Sequence, residues 1–190
     1  RGPTFKAMYE SITENAQYVF QTKNDVYVLT ASGTGGLECV IGNAINPGDK
    51  VVVPVFGLFS DRAKEAIERR RGRVVELLSK WGTSPNADQI REVVKKEKDI
   101  KTIFVVFNET STGVTVRELP EIGEIAKKNN LLLIVDAVSN LGGENLPVDK
   151  WGVDICITAS QKCLACPPGL SLFSVSPKAW EIIEKVEKPF

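Results

Sequence analysis

A lysine, an aspartate and a glycine-rich turn are the features of this sequence whose residue types and surroundings could do chemistry. Lys162 stands in Thr158-Ala-Ser-Gln-Lys162-Cys-Leu-Ala-Cys166-Pro-Pro-Gly169, where the apolar run from Val153 to Ile157 gives way to small polar residues. An amine attacks a carbonyl near neutral pH only where burial or neighbouring cations free its lone pair. Small residues before Lys162 and a Pro-Pro-Gly turn after it can fix the backbone for that task. Asp136 ends the apolar run Leu131 to Val135, which reads as a parallel strand buried on both faces. A carboxylate there lies where open α/β sheets hold their ligands. Ala31-Ser-Gly-Thr-Gly-Gly36 joins the strand-like Val26 to Thr30 to the helix-like Leu37 to Ile45. Strand, glycine turn and helix N-terminus together form an anion site, since backbone N–H groups and the helix dipole converge on the turn. Taken singly, each feature also fits an ordinary role: a solvated lysine, an aspartate opening a loop, a tight turn. Together they offer a phosphate cradle, a carboxylate and an amine.

Such groups need a scaffold that brings distant segments together. Arg1 to Thr22 reads as a helix, with Phe5, Met8, Tyr9, Ile12, Ala16, Val19 and Phe20 at helical spacing. A strand from Val26, the glycine turn and a second helix follow, stopped by Asn46-Pro-Gly48. Strands are expected at Lys50 to Val53, Arg73 to Leu78, Thr102 to Phe107, Leu131 to Asp136, Val153 to Thr158 and Leu170 to Val175. Helices are expected at Ser60 to Arg71, Asn86 to Lys98, Glu118 to Asn129 and Pro177 to Lys188. This alternation predicts an α/β fold: a mainly parallel sheet, covered by helices on both faces and joined by right-handed crossovers.

Composition narrows the function. A chain of 190 residues, 43% hydrophobic and 25% charged, suits one domain with a substantial core. Its 24 basic and 24 acidic side chains cancel, and no basic block is interleaved with aromatics, which leaves a nucleic-acid role without electrostatic support. No apolar run is long enough to span a bilayer, and the N-terminus has no signal-peptide pattern, so a soluble cytoplasmic protein is expected. Histidine is absent, which excludes histidine-dependent triads and histidine metal sites from this sequence. Cys39, Cys156, Cys163 and Cys166, in or beside apolar segments, read as reduced core cysteines. Cys163 and Cys166 also form a Cys-x-x-Cys pair, open to redox chemistry or to half of a zinc site that lacks its second pair. The glycine turn is neither a Walker loop, since Gly36 is followed by Leu37-Glu38, nor a dinucleotide fingerprint. A single phosphomonoester fits it better.

Five motifs in order carry a family resemblance: Ser32-Gly-Thr-Gly, Phe56-Gly-Leu-Phe59-Ser-Asp-Arg62, Glu109-Thr-Ser-Thr-Gly113, Asp136-Ala-Val138, and Ser160-Gln-Lys162 followed by Pro167-Pro-Gly169. The chain resembles the large domain of the class V, fold-type I pyridoxal-phosphate aminotransferases, and within them the alanine–glyoxylate and serine–pyruvate enzymes. The resemblance implies that pyridoxal 5′-phosphate rests its phosphate on backbone amides of Ser32, Gly33 and Thr34, assisted by Gln161. It implies that Lys162 is both the Schiff-base amine and the base that moves the substrate's proton. Asp136 would hold the ring nitrogen protonated. Val138, on the same side of the strand end as Asp136, would pack one ring face. Phe59 would stack on the other face, where the family often has tryptophan. Ser111 matches a hydroxyl near the ring. Singly, Phe59 also fits a core aromatic and Glu109 to Gly113 an ordinary capped turn.

The resemblance further implies a small amino acid such as alanine or serine as donor, a 2-oxo acid such as glyoxylate or pyruvate as acceptor, and a homodimer. If the source is eukaryotic, it also allows a peroxisomal or mitochondrial location. Family members carry a substrate loop before the position of Arg1 and a small domain after that of Phe190, so the chain is expected to be one domain of a longer enzyme. Two alternatives stay open. One is another class V chemistry of the cysteine desulfurase or lyase type, in which histidines usually stand where Gln161 and Phe59 are. The other is a non-catalytic interaction domain that uses the Cys-x-x-Cys pair for metal or partner binding.

Overall fold

The computed structural model describes residues 2–186. The expected helix start at Arg1 and the last helix's end at Lys188 lie outside them. The chain runs α1 (Pro3–Phe20), β1 (Asp25–Thr30), α2 (Gly33–Ala44), β2 (Lys50–Val55), α3 (Leu58–Arg69), β3 (Arg73–Leu78), α4 (Ala87–Lys96) and β4 (Ile100–Val106). A short hairpin, β5 (Asn108–Glu109) and β6 (Val114–Thr115), leads to α5 (Leu119–Lys128), β7 (Leu132–Asp136), β8 (Ile155–Ala159), β9 (Leu170–Val175) and α6 (Pro177–Ile183).

The main sheet has the order β1-β9-β8-β7-β4-β2-β3. Neighbouring strands are parallel except at β9, which runs antiparallel to both β1 and β8. Strand alternation feeds two cores. Along β4, Ile103 and Val105 join α1, α4 and α5 on one side, while Phe104 and Val106 join α2, α3 and α6 on the other. This is why the central strands are continuous apolar runs rather than alternating ones.

Three local outcomes differ from the pattern-based reading. The second helix begins at Gly33, not Leu37, because the Ser32 hydroxyl caps it by accepting from Gly35 N–H at 3.1 Å. Helix propensity is poor for three glycines, but packing decides: a Cβ on Gly36 would stand 1.9 Å from Ser171 Oγ, so only glycine lets α2 lie directly on β9. Strand β2 extends through Pro54 to Val55. Its pairing with β4 ends at Val52↔Ile103, beyond which Pro54 faces only β3. Finally, the expected turn from Glu109 to Gly113 is the tip of the β5–β6 hairpin.

Candidate active site

Every parallel strand that carries a predicted site residue delivers it at its C-terminal end. The chain also reverses its direction of travel across the sheet there, since β3 lies outside β2 and β4 on β2's other side. Gly33 and Thr34 follow β1, Phe59 follows β2, Asp136 ends β7, with Val138 beyond it, and Lys162 follows β8. These six residues line one cleft, together with Leu37, Arg62, Val106, Asn108, Thr110 and Ser139.

The anion end is the first turn of α2. Gly35 N–H is taken by the Ser32 hydroxyl and Gly36 N–H by the Ser32 carbonyl. Helix geometry leaves the N–H groups of Gly33 and Thr34 for an outside acceptor. Ser32 itself caps the helix and does not line the cleft.

Asp136 is half-buried, its open side on the cleft, and one carboxylate oxygen accepts from Val138 N–H at 2.9 Å. Burial pushes its carboxyl up to about 6, against a small downward pull from that hydrogen bond and a further upward push from the Glu109 charge. A site that makes its carboxylate costly to ionise is one prepared for a cationic partner.

Glu109 holds the opposite wall. It is fully buried, and its carboxylate accepts from Phe59 N–H (3.2 Å), Ser60 N–H (2.8 Å), Ser60 Oγ (2.9 Å) and Ser111 Oγ (2.6 Å). Burial raises its pKa, but the hydrogen bonds from Ser111, Ser60 and Phe59 outweigh that and hold it below the ordinary carboxylate value. Glu109 thus anchors the N-terminus of α3 and, with it, the backbone of Phe59. The Arg62 guanidinium lies 5.2 Å from the centre of the Phe59 ring, a cation–π distance that brings a second cation to the cleft beside Lys162.

Three expected site residues are elsewhere. Ser32 is the α2 cap. The Ser111 hydroxyl donates to Glu109 and accepts from Leu58 N–H at 2.9 Å, so it ties α3 to the hairpin while Thr110 lines the cleft. Gln161 is exposed on the turn of residues 160–164 and is not part of the lining. Lys162 lines the cleft yet is exposed, so of the two expected conditions, burial or neighbouring cations, this chain supplies a neighbouring cation, Arg62, rather than burial. Its loop is closed at the neck by Ser160: Cys166 N–H reaches the Ser160 carbonyl at 3.0 Å, and Ser160 Oγ donates to the Pro167 carbonyl at 2.7 Å. Glu109, Arg62, Asn108 and Ser139 were given no role from sequence. The signal for the first two was their place inside motifs already singled out.

The cleft encloses about 60 Å³, and Thr34, Thr110 and Lys162 of its lining are exposed. A larger concavity of about 1060 Å³ lies between the end of α1 and residues 142–150, but it holds none of the predicted groups. Convergent chemistry, not size, marks the smaller one.

A profile of the class-V aminotransferases matches residues 1–188. The chain belongs to the class-V aminotransferase family. An uncharacterised aminotransferase of Methanocaldococcus jannaschii is 43% identical to this class-V chain over 97% of its length and 48% of the relative's. The L-aspartate–glyoxylate aminotransferase of Paracoccus denitrificans is 36% identical over 100% of this chain and 49% of its own. The crystal structure of an alanine–glyoxylate aminotransferase from Nostoc sp. superposes with a TM-score of 0.94 at 33% identity, covering 98% of this chain and 49% of that one. The class-V chain therefore spans about half the length of the curated relatives it matches. No helix among its described residues is long and apolar enough to cross a membrane. Among those residues, no group of three or more Cys, Asp or Glu side chains gathers as a metal site around the Cys-x-x-Cys pair.

Proposed function

We propose that this chain is the large, cofactor-binding domain of a pyridoxal-phosphate-dependent aminotransferase that moves an amino group from a small amino acid to a 2-oxo acid. The observation that carries the proposal is the convergence of the Gly33 and Thr34 N–H groups, the Asp136 carboxylate and the Lys162 amine in one cleft. These donors fit the cofactor's parts: paired N–H groups for a phosphomonoester, a carboxylate for a ring nitrogen, Phe59 and Val138 for two ring faces, and an amine for an aldehyde. When bound, the cofactor supplies an electron-withdrawing ring that stabilises negative charge on a substrate carbon.

The chain's own residues do the rest. Asp136, costly to ionise alone, keeps its charge readily beside a cation and so holds a proton on the facing nitrogen. Lys162 takes the proton from the substrate's α-carbon on its Nζ and returns it, which an exposed amine on a short closed loop can do. Alanine or aspartate as donor and glyoxylate as acceptor are supported by the relatives' names, and serine and pyruvate by the family resemblance. A cytoplasmic location is part of the same proposal. A homodimer is supported by α1, where Phe5, Met8, Tyr9 and Ile12 form an exposed apolar stripe, 50, 51, 39 and 38% accessible.

The test is to mix the protein with pyridoxal phosphate, record the visible spectrum, reduce with borohydride and map the labelled peptide. The expected label is on Lys162 and is lost in Lys162→Ala. A label on another lysine, or one that persists in Lys162→Ala, would overturn the assignment.

A further inference from the structure

The Cys-x-x-Cys pair begins one residue after Lys162, and the proposed chemistry makes no use of it. Of the four cysteines, Cys156 is buried and Cys39 half-buried, and burial pushes both thiols up. Cys163 and Cys166 are exposed. They lie where the chain reverses: Ala165 N–H closes a turn on the Lys162 carbonyl at 2.9 Å, Ala165 sits in the left-handed region at φ 53°, and Cys166 N–H bonds the Ser160 carbonyl at 3.0 Å. The turn from Lys162 to Ala165 contains Cys163 and is followed directly by Cys166, so a rearrangement of this exposed loop can bring the two α-carbons into the roughly 7 Å span that a disulfide bridges. Each sulfur now rests on a carbonyl, Cys163 on Ser139 at 3.3 Å and Cys166 on Leu164 at 3.3 Å. Cys163 is also packed on Gly143, where an added Cβ would come within 2.6 Å of its sulfur.

From this geometry we infer that Cys163 and Cys166 form a reversible disulfide, made by exchange with a small-molecule or protein disulfide, and that it switches the Lys162 loop. The Cys163 thiolate attacks the external disulfide and expels one thiolate. The Cys166 thiolate then attacks the Cys163 sulfur and expels the second. The pair loses two protons and two electrons, and the external disulfide is reduced to two thiols. Bridging requires Cys163 to leave the Ser139 carbonyl, a residue that lines the cleft, and so displaces the neighbouring Lys162. The disulfide itself stands apart from the proposed function, while its effect on Lys162 rests on that reading.

The experiment uses dipyridyl disulfide on the purified protein, followed by alkylation and peptide mass mapping. The expected product is a linked Cys163–Cys166 peptide reversed by dithiothreitol, with Cys166→Ser halting at a pyridyl adduct on Cys163. Separate adducts on both cysteines, or bridges between two chains, would overturn the intramolecular disulfide. Borohydride labelling of Lys162 with pyridoxal phosphate should then fall by about tenfold or more on oxidation, the scale of a misplaced reacting group. The Cys163→Ser, Cys166→Ser double variant, treated identically, should keep its labelling. Equal labelling of oxidised and reduced wild type would overturn the switch. Absence of label from every sample would count against the cofactor reading alone, leaving the linked peptide to decide the disulfide.

Discussion

Asp136 on the cleft and Glu109 buried behind its wall have opposite electrostatic habits, and pH should separate them. The Asp136 carboxyl is raised from its ordinary 3.8 to about 6, so the fold prefers it protonated. Its contribution is fully present below pH 3.8 and is lost as pH rises towards about 6. At neutral pH its ionisation costs on the order of 2 kcal/mol, less than the full shift would give because one side of the carboxylate meets solvent. Asp136→Asn should therefore raise the stability of the cofactor-free protein at pH 7.5 and leave it nearly unchanged at pH 4, as read from urea melts at both. Glu109 works the other way: its pKa is lowered, so its stabilisation is present above the ordinary 4.5 and disappears as pH falls through the folded value. Glu109→Gln should cost about 2–4 kcal/mol at pH 7, since donors from Phe59, Ser60 and Ser111 lose a charged acceptor. It should also move the Asp136 titration downward, measurable by carbon NMR of the labelled carboxyl. Asp136 and Lys162 were legible in the sequence because strand ends and turn residues mark them locally. Glu109 was not, because besides Ser111 its partners, Phe59 and Ser60, lie about 50 residues away on α3 and meet it only once the sheet brings the hairpin beside that helix.

At the scale of elements, α2 shows how a cradle is set by contact as well as by composition. Four glycines weaken the helix intrinsically, yet Gly36 is what lets it touch β9. Gly36→Ala should lift α2 from the sheet and lower stability by roughly 1–3 kcal/mol, the usual cost of overpacking. It should also weaken phosphate binding, because the N–H groups of Gly33 and Thr34 ride on the same first turn. A thermal melt with and without inorganic phosphate reads both effects. The strand set was readable from apolar runs, and β3 and β9 fall at the expected residues. The start of α2 was misplaced because a glycine run reads as a turn until a capping serine and a close neighbour are known to hold it in a helix. The Lys162 loop was found, but not the exposure of its lysine, since nothing local tells a lysine at the mouth of a cleft from one inside it.

Across the whole molecule, α1 is the helix least absorbed by the core among the described residues. Its sequence carries one long apolar face, but only Ala16 and Phe20, in its last two turns, are buried. Periodicity announced the helix and could not say what the first three turns pack against. If Phe5, Met8, Tyr9 and Ile12 pair two copies, Met8→Glu with Ile12→Glu should leave a folded monomer by sedimentation, with an unchanged circular dichroism spectrum. A wild type that is itself monomeric at high concentration would refute the pairing. The position of β9 has a further consequence for synthesis. The phosphate cradle follows β1 and is made well before β9, but among the described residues β1 joins the sheet only through β9, and α2 rests on Ser171 of that strand. A nascent chain that has made everything up to Lys162 still has no seat for its own anion site. Everything from β1 to β9 must be made before these two strands can pair, a long-range contact that places this domain among slow, late-committing folders and leaves its glycine turn waiting on β9.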